Sequence, residues 1–272
     1  MISSATQWIG TQELLQALSA GELEVEGRLA GASNGTLRCI VSVSAECRVR
    51  CVYKPVAGER PLWDFPEGTL SMREVASYEM SEALALGVVP PTVWRTFGPA
   101  GPGMCQVWID EVSDAPLVSV LAAGADLSDW LHVFDGTDQS GGLVSLVHSR
   151  DVALQKVALL DAVINNADRK GGHLLVDASN RVWAIDHGVS FSDEDKLRTV
   201  LWGWAGNEMP EELNEPVAAM RAMIDTGLPE AITRWLTADE VVALERRMEQ
   251  LLSTRTFPMP APGWPAIPWP VF

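Results

Sequence analysis

The sequence predicts an α+β protein with a β-rich lobe over residues 1–110 and a mainly helical lobe over residues 111–272. Two observations carry this. Strand-like runs rich in β-branched residues come first, at 23–29, 37–43 and 48–56, with one helical pattern after them at 71–86. After residue 150 the clear patterns are helical, at 151–165, 211–225 and 238–252.

Each element has a local reason. Residues 7–20 place Trp8, Leu14, Leu15 and Leu18 on one helical face. A small-residue turn, 31–36, separates the first two strands. The third strand alternates Val49, Cys51 and Tyr53 against Arg48, Arg50, Val52 and Lys54. Gly87 and Pro90-Pro91 stop the 71–86 helix, and strands are expected at 92–96 and 106–109. From 112 to 142 the signal is weak and predicts loop and short helix. Residues 151–165 are the strongest helix, with Asp151 as cap and Ala153, Val157, Leu160 and Ile164 on one face. A polar loop, 166–172, then leads to a short hairpin, 174–176 and 182–185. Residues 257–272 hold six prolines and two tryptophans, which reads as a recognition segment or as a strap packing Trp264 and Trp269 onto the helical lobe.

Composition excludes some classes. The chain has 272 residues, 20 basic against 36 acidic, and a net charge of −16. That balance argues against nucleic acid or an anionic membrane as partner. No run reaches the roughly 20 apolar residues of a membrane span. The N-terminal residues lack a secretory leader pattern. Cys39, Cys47, Cys51 and Cys105 fit no zinc spacing and read as buried reduced thiols, with Cys39 and Cys51 on neighbouring strands. The expected location is cytoplasmic. Lys54, Lys156, Lys170 and Lys196 are the only lysines, so each invites a question.

Four pieces point to chemistry. Lys54 sits mid-strand in CVYKP; such a lysine either snorkels or meets a ligand. The 31–35 turn, with Ser33, Asn34 and Gly35, lets backbone N–H groups approach phosphate, or is an ordinary hairpin turn. The stretch from Asn165 to His173 is a polar cluster anchored between helix and strand, as catalytic loops are. Asp186 ends an apolar strand and is followed by His187-Gly188; a carboxylate there suits a hard cation.

In this order the parts form the set of a kinase-like phosphotransferase. The chain resembles the phosphatidylinositol 3-/4-kinase-like branch of the protein-kinase-like fold. Asp168-Arg169 resembles that branch's D-R-x-x-x-N loop, LLDAVINNADR the preceding helix, VYKP the strand lysine, REVASYE the N-lobe helix and AIDHG the metal motif. The chain also resembles, nearly end to end, a family of actinobacterial kinase-like proteins, including RPLWDFPEGTL, VLWGWAG and AIPWP. One position departs: His173 stands where the branch has Asn, and imidazole prefers Mn²⁺ or Zn²⁺ to Mg²⁺.

The resemblance implies a two-lobed fold, ATP with Mg²⁺ or Mn²⁺, and roles residue by residue. Lys54 would hold the α- and β-phosphates, paired with Glu74, with Glu79 as rival. Ser33, Asn34 and Gly35 would sit under the phosphates, and Gln106, Val107, Trp108 and Ile109 would meet the adenine. Asp168 would orient or deprotonate the acceptor, with Arg169 and Lys170 beside it. Asp186 and His173 would ligate metal. The acidic surface favours a soluble protein or small-molecule hydroxyl as acceptor over a lipid. Two other readings stand: a nucleotide-binding pseudokinase with a regulatory role, suggested by His173, and a metal-dependent hydrolase using Asp168, His173, Asp186 and His187. His132 and His148 fall outside the motifs and read as structural. Oligomeric state is left open.

Overall fold

The computed structural model describes residues 11–29, 35–60, 62, 65, 69–112 and 116–272. Helix α1, Gln12–Ala20, is capped by Thr11, whose hydroxyl accepts from the Leu14 N–H at 3.3 Å. Strands β1 (Leu23–Arg28), β2 (Leu37–Ser42) and β3 (Arg48–Pro55) follow. Helix α2, Leu70–Ala83, precedes β4 (Thr92–Arg95) and β5 (Gly103–Val107). The five strands form one antiparallel sheet in the order β1-β2-β3-β5-β4.

The alternation in β3 has the expected consequence. Val49, Cys51 and Tyr53 are buried against Leu14 and Leu18 of α1, while Arg50, Val52 and Lys54 take the opposite face. Cys39 and Cys51 pair across β2 and β3, and all four cysteines are free and buried. The last expected strand is shifted: pairing begins at Gly103 and ends at Val107, so Trp108 and Ile109 leave the sheet.

Helix α2 begins at Thr69, whose φ of +70° gives it no side-chain cap. Glu59 supplies the acceptor instead, taking the N–H groups of Leu70 (3.2 Å) and Ser71 (2.8 Å).

The expectation for 112–142 was wrong. That region holds β6 (Val118–Ala122) and β7 (Trp130–Thr137), which join β8 (Leu143–Ser149) in a three-stranded antiparallel sheet, order β6-β8-β7. A bulge between His132 and Phe134 breaks the period-2 pattern, and Phe134 and Leu143 stay exposed. The β7–β8 turn is held by Asp138, which accepts from the N–H groups of Ser140 and Gly142.

Helix α3, Val152–Ile164, is capped by Asp151, which accepts from the Ala153 N–H at 2.8 Å. It is buried on nearly every side, with Leu159 and Val163 joining the expected Val157, Leu160 and Ile164. Asn165 ends it with φ +53°. Strands β9 (Leu174–Val176) and β10 (Val182–Ala184) form the expected hairpin. Helices α4 (Asn214–Thr226), α5 (Glu230–Thr233) and α6 (Ala238–Thr254) complete the second lobe. Thus the catalytic-loop candidate, 165–173, is held between the buried α3 and the hairpin.

Candidate active site

Strand β3 delivers Lys54, α2 delivers Glu74, and the turn after β10 delivers Asp186. Lys54 Nζ lies 2.5 Å from Glu74 Oε1 and 2.8 Å from Asp186 Oδ1. Glu74 is the helix acid that meets the lysine; Glu79 instead lies near Arg234 and Glu82. The other Glu74 oxygen accepts the His187 N–H at 2.9 Å, so one buried carboxylate ties the strand lysine to the Asp186 turn. Asp186 adopts φ +62°, a left-handed conformation that Asp tolerates better than most residues. Gly188 leaves room for the first turn of α2, since a Cβ there would lie 3.3 Å from Leu70 Cβ.

The electrostatics follow from this geometry. Burial disfavours the Lys54 ammonium, but Asp186 and Glu74 outweigh it and hold its pKa above the ordinary lysine value. The Lys54 charge, against the opposing effect of burial, holds the Asp186 carboxyl far below the usual range. His173 Nε2 is 3.4 Å from Asp186 Oδ2. Burial pushes the His173 imidazole down to about 4, against the pull of Asp186, so it is neutral near pH 7. Its Nδ1 is buried with no hydrogen-bond partner. A neutral imidazole and a carboxylate at this separation fit two ligands of one first-row divalent ion with bonds of about 2.1 Å.

Two cavities meet at Lys54 and Asp186. The first, about 580 Å³, has apolar walls from Val52, Leu175 and Ile185, and one edge formed by residues 106–109. Gln106 lies along that edge, but its side-chain amide is tied to Thr92 Oγ1 at 2.8 Å. The Trp108 N–H is also committed, to Arg50 O at 3.0 Å. Asp110 and Glu111 stand at the same cavity; they directly follow the residues expected to meet the adenine but are not among the expected site residues. Ser33 and Asn34 lie outside the described residues. Gly35 is described, and its N–H donates to Gly58 O at 3.2 Å rather than facing a ligand. Leu29 and Thr36, on either side of that turn, line the cavity instead.

The second cavity, about 460 Å³, is lined by Asp168, Lys170, Glu59 and Arg60 as well as Lys54 and Asp186. Asp168 Oδ2 is 3.0 Å from Lys170 Nζ. Burial raises the Asp168 pKa above the ordinary value, and Lys170 only partly offsets it, so this carboxylate is a stronger base than an exposed Asp.

Arg169 requires correction. Grouped with the catalytic residues by sequence, it is fully buried and lines neither of these two cavities. Its guanidinium makes paired bonds to Asp161 (Nε–Oδ2 2.9 Å, Nη2–Oδ1 2.9 Å) and donates to Ile185 O at 2.8 Å. Nη2 also faces His187 Nε2 at 2.7 Å. Arg169 therefore positions the loop against the Asp186 turn. His187 is sealed, with Nε2 engaged by Arg169, so the ligand set that a hydrolase would need is not assembled. His148 is likewise structural: buried, it accepts the Gly203 N–H through Nε2 at 3.1 Å and packs on Trp204. His132 pairs with Asp135 at the surface, 2.8 Å away.

Comparison with known proteins adds to this geometry. No family model matches the chain. Over 264 residues it is 42% identical to "Protein Rv2133c" of Mycobacterium tuberculosis, with 94% of each chain covered. The chain belongs to the family of Rv2133c. Among solved structures, this Rv2133c relative is similar to the Golgi casein kinase, with a TM-score of 0.52 and 15% identity over 89% of this chain and 73% of that one. It is also similar to hydra Fam20 in complex with sugar, with a TM-score of 0.50 and 16% identity over 89% of this chain and 87% of that one. The Rv2133c-family chain thus has the kinase-like fold of the Fam20 proteins. Among the described residues no helix is long and apolar enough to cross a membrane.

Proposed function

We propose that the protein is an ATP-dependent phosphotransferase, related to the phosphatidylinositol 3-/4-kinase-like branch, acting on a soluble protein or small-molecule hydroxyl. The observation that carries this reading is the Lys54–Glu74–Asp186 cluster at the junction of two cavities. The apolar cavity suits a nucleotide base, and the polar one an acceptor. Lys54 would hold the nucleotide's phosphates. Asp168 would take the proton of the acceptor hydroxyl as its oxygen bonds to the γ-phosphorus and the bond to the ADP oxygen breaks. Lys170 would neutralise the transferred phosphoryl group. Asp186 and His173 would hold a divalent ion, which supplies charge neutralisation at the phosphates. The imidazole favours Mn²⁺ over Mg²⁺ there. The net charge of −16 supports a soluble acceptor, and the four free buried thiols support a cytoplasmic site of action.

A regulatory protein that binds nucleotide without turning it over is the second reading. It is favoured by His173 at the usual Asn position and by the Asp168–Lys170 ion pair. The deciding test has two stages. A thermal-shift screen with ATP, GTP and ADP, each with Mg²⁺ or Mn²⁺, should show stabilisation by ATP, larger with Mn²⁺. Turnover of ATP in an acceptor screen should then fall by about 10²–10⁴ in Asp168→Asn. Binding without turnover in any condition would select the regulatory reading, and no nucleotide response at all would refute both.

A further inference from the structure

The catalytic-loop candidate does not stand alone on the surface. Arg169 N donates to Arg198 O at 3.0 Å, and Val200 N donates back to Arg169 O at 3.1 Å. This lays residues 198–200 alongside the loop. A third segment, 264–272, lies against both. Ala266 O accepts the Thr199 N–H at 3.1 Å and the Trp202 indole N–H at 2.8 Å. The Trp264 ring sits beneath Lys196, 5.0 Å away, and Arg198, 5.8 Å away. Ile267 and Val271 pack against the core of the second lobe.

The contact with the loop is close. Gly171 N donates to Val271 O at 2.8 Å. The Phe272 ring occupies the space a side chain at 171 would need: a Cβ there would lie 2.6 Å from Phe272 Cε1 and 3.2 Å from Val118 Cβ. Gly171 has an ordinary negative φ, so space and not backbone conformation excludes a larger residue there. The neighbouring residue is Lys170, paired with Asp168. The strap therefore reaches the residue next to the proposed chemistry while touching neither cavity.

We propose that residues 264–272 are a positioning strap, with Phe272 wedged on Gly171 as its key contact, that holds Asp168 and Lys170 in register with Asp186. Its catalytic consequence rests on the phosphotransferase reading; the clamping of the loop does not. A loop freed to shift by about 1 Å loses up to about 10²-fold in rate without losing substrate affinity.

The test compares Phe272→Ala, Gly171→Ala and the double variant in the full chain. Three readouts are used: amide hydrogen exchange of 165–173, the Kd for ATP with Mn²⁺, and kcat. Phe272 is 53% exposed, so Phe272→Ala tests the strap without threatening the fold. Each single substitution should raise exchange across 165–173 and leave α6 unchanged. Each should lower kcat by about 10- to 100-fold and change Kd far less, any change in Kd arising through His173 at the end of the loop. In the double variant the two costs should add only in small part, because the Gly171→Ala clash is chiefly with Phe272 and only the looser contact with Val118 Cβ remains. Unchanged exchange in Phe272→Ala overturns the strap, as do fully additive costs in the double variant. Raised exchange with no turnover even in the wild type supports the strap and refutes the phosphotransferase reading instead.

Discussion

Two clusters of charged side chains meet at the turn 186–188. On one side Lys54, Glu74 and Asp186 line the second cavity, and the Asp186 side chain is half exposed. On the other, Asp161, Arg169 and His187 are sealed from solvent. The sealed cluster is the better satisfied. Asp161 receives Arg169 twice and Asn166 once, at 2.9 Å, and Arg169 also reaches a backbone carbonyl and an imidazole. The open cluster has one lysine serving two carboxylates and an imidazole with an unpartnered nitrogen. Similar chemistry thus does two jobs. The sealed cluster leaves one nitrogen, His187 Nδ1, without a hydrogen bond and locks the loop to the turn through Arg169; the open cluster adjoins two cavities, from which a charged group could reach Lys54 and Asp186.

Breaking the sealed cluster should have the largest effect on stability. Arg169→Met leaves the Asp161 carboxylate buried without its charge partner, and urea denaturation should show a loss of about 3–5 kcal/mol. A loss below 1 kcal/mol would mean that the cluster is not the lock described.

A sealed neutral group gives the next effect. Burial, opposed by a bond to the Ser149 carbonyl, pushes His148 down to about 4. Its folded pKa is below the unfolded value of about 6.5, so the stability it contributes is fully present above pH 6.5 and fades as pH falls toward 4. The loss should reach about 2–3 kcal/mol, and His148→Gln should remove that share of the slope, leaving the share that buried His173 contributes over the same range. A pH profile unchanged by the substitution would contradict this.

The smallest effect sharpens the comparison from outside. Asp195 and Arg246 form an exposed pair at 2.9 Å. Asp195→Asn should change stability by less than about 0.5 kcal/mol in the same denaturation series. A larger change would show that surface pairs contribute as the sealed one does.

The two clusters also differed in how legible they were. Lys54, Asp168 and Asp186 could be placed because each follows or interrupts a local period: an alternating strand, a buried helix, a short hairpin. Glu74 was preferred to Glu79 by resemblance, and the packing of α2 brings Glu74 to Lys54. Arg169 was misassigned because adjacency to Asp168 says nothing of which way a loop side chain turns. Its partner Asp161 lies on α3, whose pattern is nearly continuous and apolar, so one buried acid there gave no signal. The sheet β6–β8 was missed because its strands are half exposed and a bulge breaks the alternation. For the Pro/Trp segment, composition left two readings, a recognition segment or a strap with both tryptophans packed down. Trp264 is half buried, whereas Trp269 is 86% exposed, and the residue that meets the loop is Phe272.

The central claim is that the open cluster binds a metal–nucleotide, and calorimetric titration of ATP with Mn²⁺ into the wild type and Asp186→Ala tests it most directly. The Asp186 side chain is half exposed, so the stability cost of Asp186→Ala is chiefly that of placing Ala in a left-handed backbone, about 1–2 kcal/mol, and a folded variant can be compared. The account predicts saturable, metal-dependent binding by the wild type and none by Asp186→Ala. Equal binding by both, or none by the wild type, would contradict it.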